Sequence, residues 1–160
     1  MPADRDVYSV PVIQAVQLET VSNENLAAVL ALQVREDQRD FLPSIASSIE
    51  LAKGYPDAVC LAVRAAHGVC GFAMYGIDYE SGSWKIFRLL VAQAFQGQGI
   101  GRRAMNLLLE RLRTRHGAHD VRIVYSASNA VAHALYSSLG FVECGVRGDR
   151  KLAMLRFTGP

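Results

Sequence analysis

The segment that most restricts this chain is a strand, a glycine-rich turn and a helix in direct succession. Trp84 to Val91 (WKIFRLLV) is rich in β-forming residues, and Gln96-Gly97-Gln98-Gly99-Ile100-Gly101 follows shortly after it. Ile100, Ala104, Leu107, Leu108 and Leu112 then recur at helical spacing, and Gly117 closes the pattern. At such a junction the unpaired N–H groups of the helix and its dipole point at one spot. Glycines leave the backbone there bare enough to approach an anion. Phosphate or pyrophosphate binding is the chemistry suggested, although a plain strand-to-helix turn would use the same glycines. A dinucleotide fingerprint would need glycine where Arg102 stands, and no G-x-x-x-x-G-K-[ST] loop occurs.

The surrounding pattern narrows the fold. Residues 58–65, 69–79 and 83–91 read as strands separated by the turn signals His67-Gly68 and Ser81-Gly82. That is an antiparallel meander, which argues against a parallel dinucleotide-binding unit. Upstream, the pattern predicts a strand over 13–19, a helix over 23–34 capped by Thr20 or Ser22, and a helix over 44–53 after Pro43. Downstream it predicts a strand over 120–126, a short helix over 129–139 ended by Gly140, and strands over 141–147 and 150–157. The order β-α-α-β-β-β-α-β-α-β-β describes an α+β fold with one mixed sheet. The length of 160 residues suits a short leader, 1–12, and one domain, 13–160.

Charge and composition exclude several classes. A formal net charge of +2 gives no case for nucleic acid, which wants a basic stripe. No apolar run is long enough to span a membrane, and the first residues lack the apolar core of a signal peptide. Cys60, Cys70 and Cys144 are isolated and odd in number, as expected of free thiols in a reducing, cytoplasmic setting. His116 and His119 have no third ligand in view, so no metal is expected.

Two motifs together point to a family. The first is Leu89-Leu90-Val91-Ala92-Gln93-Ala94-Phe95-Gln96-Gly97-Gln98-Gly99-Ile100-Gly101, containing Q-x-x-G-x-G. The second is N-x-x-A-x-x-x-Y-x-x-x-G-F at Asn129, Ala132, Tyr136, Gly140 and Phe141. The chain resembles the GNAT superfamily of acetyl-coenzyme A-dependent N-acetyltransferases over about residues 14–157. The resemblance implies a GNAT-type, mostly antiparallel sheet with helices on both faces. It implies that Leu89, Leu90 and Val91 hold the pantetheine arm, that the backbone amides of Gly97 to Arg102 hold the pyrophosphate, and that Gln96 belongs to the same coenzyme site. Asn129 and Ala132 would border the coenzyme, Asn129 also serving as an N-cap. Tyr136 shares a helical face with Ala132, Leu135 and Leu139 and by spacing is equally a core residue. The resemblance implies that it is the general acid for the departing thiolate. Homodimers are common in the family and are expected here on the same ground.

The acceptor is expected to be a small amine. Val34-Arg35-Glu36-Asp37-Gln38 through Phe41, with Gly71 to Tyr75 and Trp84 to Arg88, resemble bacterial diamine and spermine/spermidine acetyltransferases. That implies a polyamine held by Glu36, Asp37, Asp78, Glu80 and Trp84. The strand entering the loop carries no carboxylate, only Lys85 and Arg88. The general base is therefore one of those four acids or a water path. Arg88 is expected to pair with and orient one of the acids. The alternatives are another amine (an aminoglycoside, an amino acid, a protein N-terminus) or a silent acyl-CoA sensor.

Overall fold

The computed structural model describes residues 15–41 and 43–159. The leader and positions 13 and 14 of the expected opening strand lie outside the described residues. Strands β1 (Gln17–Thr20), β2 (Val59–Ala65), β3 (Gly68–Ile77), β4 (Trp84–Val91), β5 (Asp120–Ser126), β6 (Val142–Arg147) and β7 (Arg150–Arg156) form one sheet in the order β1-β2-β3-β4-β5-β7-β6. Among the described strands only β4 and β5 run parallel; every other neighbouring pair is antiparallel. The helices are α1 (Leu26–Leu30), α2 (Ile45–Ala52), α3 (Ile100–His116) and α4 (Ala130–Ser138).

Both faces of the sheet are covered, which follows from the apolar character of β3 and of β2, interrupted only by Arg64. On one face α1 and α2 bring Val29, Ile45 and Ile49 onto Ala62, Phe72 and Met74. On the other face α3 lays Met105, Leu108 and Leu112 against Leu61, Ala73 and Tyr75. The buried stripe of α3 takes in Met105 and Leu109, while Leu107 is exposed, so the expected face is rotated by part of a turn.

The first helix is much shorter than the expected 23–34. The cause is tertiary: the Gln33 carbonyl accepts from the Gln93 N–H at 2.7 Å, a bond between this segment and the chain after β4. Residues 32–35 leave the helix for that partner, and a 3₁₀ turn at Glu36–Phe41 follows.

At Gly71, β2, β3 and β4 lie too close for a side chain. A Cβ there would sit 2.5 Å from the Leu90 carbonyl oxygen and 3.2 Å from Val63 Cβ. Gly71→Ala is therefore expected to cost about 1–3 kcal/mol of stability, because backbone must move. An unchanged denaturation midpoint would show that the strands yield without cost.

Candidate active site

The register of β4 carries the first element of the site. Met74 opposes Arg88 and Tyr75 opposes Ile86, so Phe87 is an extra residue, a bulge in β4. A bulge sharpens twist and bends the strand that carries it. Pairing with β5 ends at the same level, the last pair being Ile86 with Ile123. Beyond it β4 and β5 part. The Ala92 N–H bonds the Cys70 carbonyl of β3 at 2.8 Å. Alternation along the strand then turns the polar groups of Leu89 and Val91 away from β3, toward the opening.

The second element is the start of α3. Gly97 and Gly99 have φ of +78° and +76°, and a Cβ on either would meet nothing within 4 Å. These glycines serve backbone conformation and leave open space above them. Gly99 is the N-cap of α3 and provides no side-chain cap, so the first N–H groups of a long helix face that space. No acidic residue occupies the first turn. Arg102 reaches across to Ser138 Oγ of α4 at 2.7 Å. Gln96 fixes the turn to its surroundings: its Nε2 donates to the Val91 carbonyl at 2.9 Å and to Gln38 Oε1 at 2.8 Å.

The third element is α4, whose ends explain the second motif. Asn129 accepts from the Ala132 N–H at 3.1 Å, an N-cap. At the other end Gly140 has φ of +97°, and the Phe141 N–H bonds the Tyr136 carbonyl at 3.0 Å. This is a Schellman closure, and it sets the Phe141 ring 5.8 Å from that of Tyr136. Tyr125 flanks the other side at 5.4 Å. Burial of Tyr136, with Tyr125 beside it, pushes its hydroxyl up to about 12. That hydroxyl has no hydrogen-bond partner among the described residues.

These elements enclose one cleft of about 860 Å³. Leu89, Leu90, Val91, Gln96, Gly97, Gly99, Ile100, Gly101, Arg102, Asn129, Ala132 and Tyr136 all line it, whereas Gln98 does not. The cleft continues onto the α1–α2 side of the sheet, where Leu30, Phe41, Ile45, Phe87 and Arg88 form its wall. Gln38 and Phe41 fall in the segment that carried the acceptor resemblance, whereas nothing in the sequence marked Ile45 as a wall residue, because an apolar residue close after a proline reads as core.

None of the five residues expected to hold an acceptor lies in that wall. Asp37 is paired with Arg35 at 2.9 Å and is exposed, and Glu36 precedes it in the same 3₁₀ turn. Asp78 ties down the β3–β4 turn through Ser81 Oγ at 2.9 Å, and Glu80 is engaged by Arg147 at 2.9 Å. Trp84 packs on His116 with ring centroids 4.3 Å apart. It therefore sits at the far end of α3, about 26 Å along the helix from Gly99. Arg88 makes no ion pair with any of the four acids, which overturns its expected pairing. It donates instead to Ser48 Oγ at 3.1 Å and to the Phe87 carbonyl at 2.7 Å.

Residues 26–141 match the family described as Acetyltransferase (GNAT) family. The chain belongs to that family. It is a GNAT N-acetyltransferase, and the parted β4–β5 edge is part of that architecture here. The spermine/spermidine N(1)-acetyltransferase of Bacillus subtilis (strain 168) is 25% identical over 133 residues, covering 79% of this chain and 88% of the relative. The ribosomal protein bS18-alanine N-acetyltransferase of Escherichia coli (strain K12) is 40% identical over 62 residues, 39% of this chain and 41% of its own length. Among solved structures, a spermidine N-acetyltransferase from Vibrio cholerae in complex with CoA and spermine superposes with a TM-score of 0.71 at 20% identity, covering 88% of this chain and 95% of that one. An acetyltransferase from Thermus thermophilus superposes at 0.74 and 16%, covering 91% and 99%. Both likenesses are of fold. Among the described residues, no helix is long and apolar enough to cross a membrane.

Proposed function

We propose that this GNAT protein moves the acetyl group of acetyl-CoA to a small primary amine by direct attack in a ternary complex. The observation that carries this reading is the meeting, in one cleft, of the open β4 edge, the uncapped start of α3 and the Tyr136 ring. The polar groups of Leu89 and Val91 are suited to bond the amide-bearing pantetheine arm. The bare backbone from Gly97 to Gly101, with Arg102, is suited to the pyrophosphate. The amine nitrogen attacks the thioester carbon, the carbonyl oxygen gains charge, and a backbone N–H at Val91 would meet it. The C–S bond then breaks. Tyr136 stays protonated at neutral pH and donates to the departing sulfur. Full proton transfer from a phenol near 12 to a thiolate near 8.5 would be uphill by about 5 kcal/mol, so hydrogen bonding carries the first part of the effect.

Among the described residues, the cleft wall contains no Asp, Glu or His. The amine proton is therefore expected to leave through water. The names of the Bacillus subtilis relative and the Vibrio cholerae neighbour support a polyamine acceptor, for which Glu36 and Asp37, between Arg35 and Gln38 of the wall, are acids adjacent in the chain to the cleft lining. A specific observation favours a second reading: the ionised side chains of the wall are Arg35, Arg39, Arg88 and Arg102. Cations beside an ammonium repel it and lower its pKa, which suits an amine that carries its own negative charge.

The test is free thiol release from acetyl-CoA against spermine, spermidine, short diamines, aminoglycosides and amino acids. Turnover with any primary amine supports acetyl transfer. Bound acetyl-CoA without turnover across the panel would favour a sensor, and no binding at all would end the coenzyme assignment.

A further inference from the structure

We infer that Arg88 is the anion-binding residue of the acceptor half of the cleft, and that the acceptor is a small amine bearing a carboxylate on an apolar body. The inference rests on the acetyl-transfer reading and names the substrate class of that same cleft. Three observations converge on it.

First, Arg88 is a half-buried cation with no carboxylate partner among the described residues. Of its donors, Nε goes to Ser48 Oγ and Nη1 to the Phe87 carbonyl, which leaves Nη2 without a protein partner among those residues. Burial, reinforced by the positive charge of Arg150, disfavours its charged form. Such a charge is costly unless something compensates it. Two acids of the expected set are already taken, Asp37 by Arg35 and Glu80 by Arg147.

Second, the guanidinium is held in place. Ser48 is 1% exposed, one of the few buried polar residues, and its hydroxyl donates to the Ser44 carbonyl at 2.9 Å while accepting from Arg88. A buried hydroxyl on α2 whose lone pair is spent on one guanidinium fixes the plane of that group. Two of its five N–H groups are thus spent, and the remaining ones, two on Nη2 and one on Nη1, suit the oxygens of a carboxylate.

Third, the surroundings suit the rest of such a molecule. Leu30, Phe41, Ile45 and Phe87 line the cleft near Arg88 and offer an apolar wall. Arg88 follows the bulge on β4, one residue from Leu89, where the open edge begins. A carboxylate on Arg88 would let an amine on the same small molecule point through the β4–β5 gap toward the coenzyme side. A polyamine would instead bring ammonium groups beside Arg88 and Arg150.

The experiment compares apolar amino acids with their carboxamides, with aminoalkyl phosphonates and with spermidine. It uses the full chain, acetyl-CoA and thiol release. The expected result is a kcat/KM for the carboxylates roughly 10–100-fold above that of the carboxamides, the range of one charged hydrogen-bonded contact. In Arg88→Gln the preference should fall to about one, chiefly through KM, and Arg88→Lys should restore part of it. Acetyl-CoA affinity of each variant, by calorimetry, reports whether it has folded. A second readout needs no turnover: apolar amino acids should bind the wild-type protein with CoA and not Arg88→Gln with CoA. Equal use of acids and carboxamides, preference for the phosphonates, or turnover of spermidine alone would overturn the inference while leaving acetyl transfer standing. Failure of the wild type to bind acetyl-CoA would overturn the acetyl-transfer reading itself.

Discussion

Gly99→Asp is expected to fold and to lose acetyl-CoA. Folding should survive because a Cβ at Gly99 meets no atom within 4 Å and because aspartate suits a helix N-terminus. The φ of +76° is the cost, about 1–2 kcal/mol for a residue other than glycine. Binding should not survive, since a carboxylate would stand where the pyrophosphate is assigned. Like charges held together cost several kcal/mol, so affinity should drop by more than roughly 10²-fold. Calorimetry with acetyl-CoA and a thermal melt of the free variant separate the two effects. A folded variant that binds as well as wild type would remove the coenzyme from this turn.

Tyr136→Phe is expected to lower kcat by roughly 10²–10⁴ with acetyl-CoA affinity nearly intact. The hydroxyl has no partner among the described residues, so its removal leaves no orphaned group and keeps the ring between Tyr125 and Phe141. Full activity in this variant would return Tyr136 to a packing role. The same residue makes a second, independent prediction. Its folded pKa, about 12, lies above the ordinary phenol value, so the folded state favours the protonated form. Its contribution to stability is whole below about pH 10 and is lost as pH rises toward 12. An alkaline denaturation series should therefore fall less steeply for Tyr136→Phe than for wild type.

The elements that local pattern alone dictates were legible in the sequence. The alternation of β5, buried at Val121, Ile123 and Tyr125, matches the expected 120–126, and the long amphipathic run and Gly117 bound α3 closely. What escaped was decided by contacts distant in sequence. The early end of α1 depends on a bond from Gln93 to Gln33, which no window around residue 33 contains. The bulge at Phe87 leaves no mark in WKIFRLLV, because every residue of that run is a credible strand former. The expected acids do not line the cleft for a related reason. Sequence proximity to the motifs does not say which face or which end of a strand a carboxylate occupies, and Asp37 and Glu80 found arginine partners instead. Arg88 was conspicuous as a charge on an apolar strand, but its partner lay on α2.

Only Trp84–Val121, Lys85–Arg122 and Ile86–Ile123 stitch the β1–β4 half of the sheet to the β5–β7 half among the described residues. The molecule is thus two half-sheets sharing a short seam, with an unzipped continuation above it. Amide protons at Leu89 and Val91 have no ladder partner in β5 and should exchange with solvent quickly in the free protein. A ligand whose own amides lie along that edge would act as the missing rungs. It would slow exchange there and raise the melting temperature by clamping the halves together. Occupancy would thus complete the sheet as well as start the chemistry.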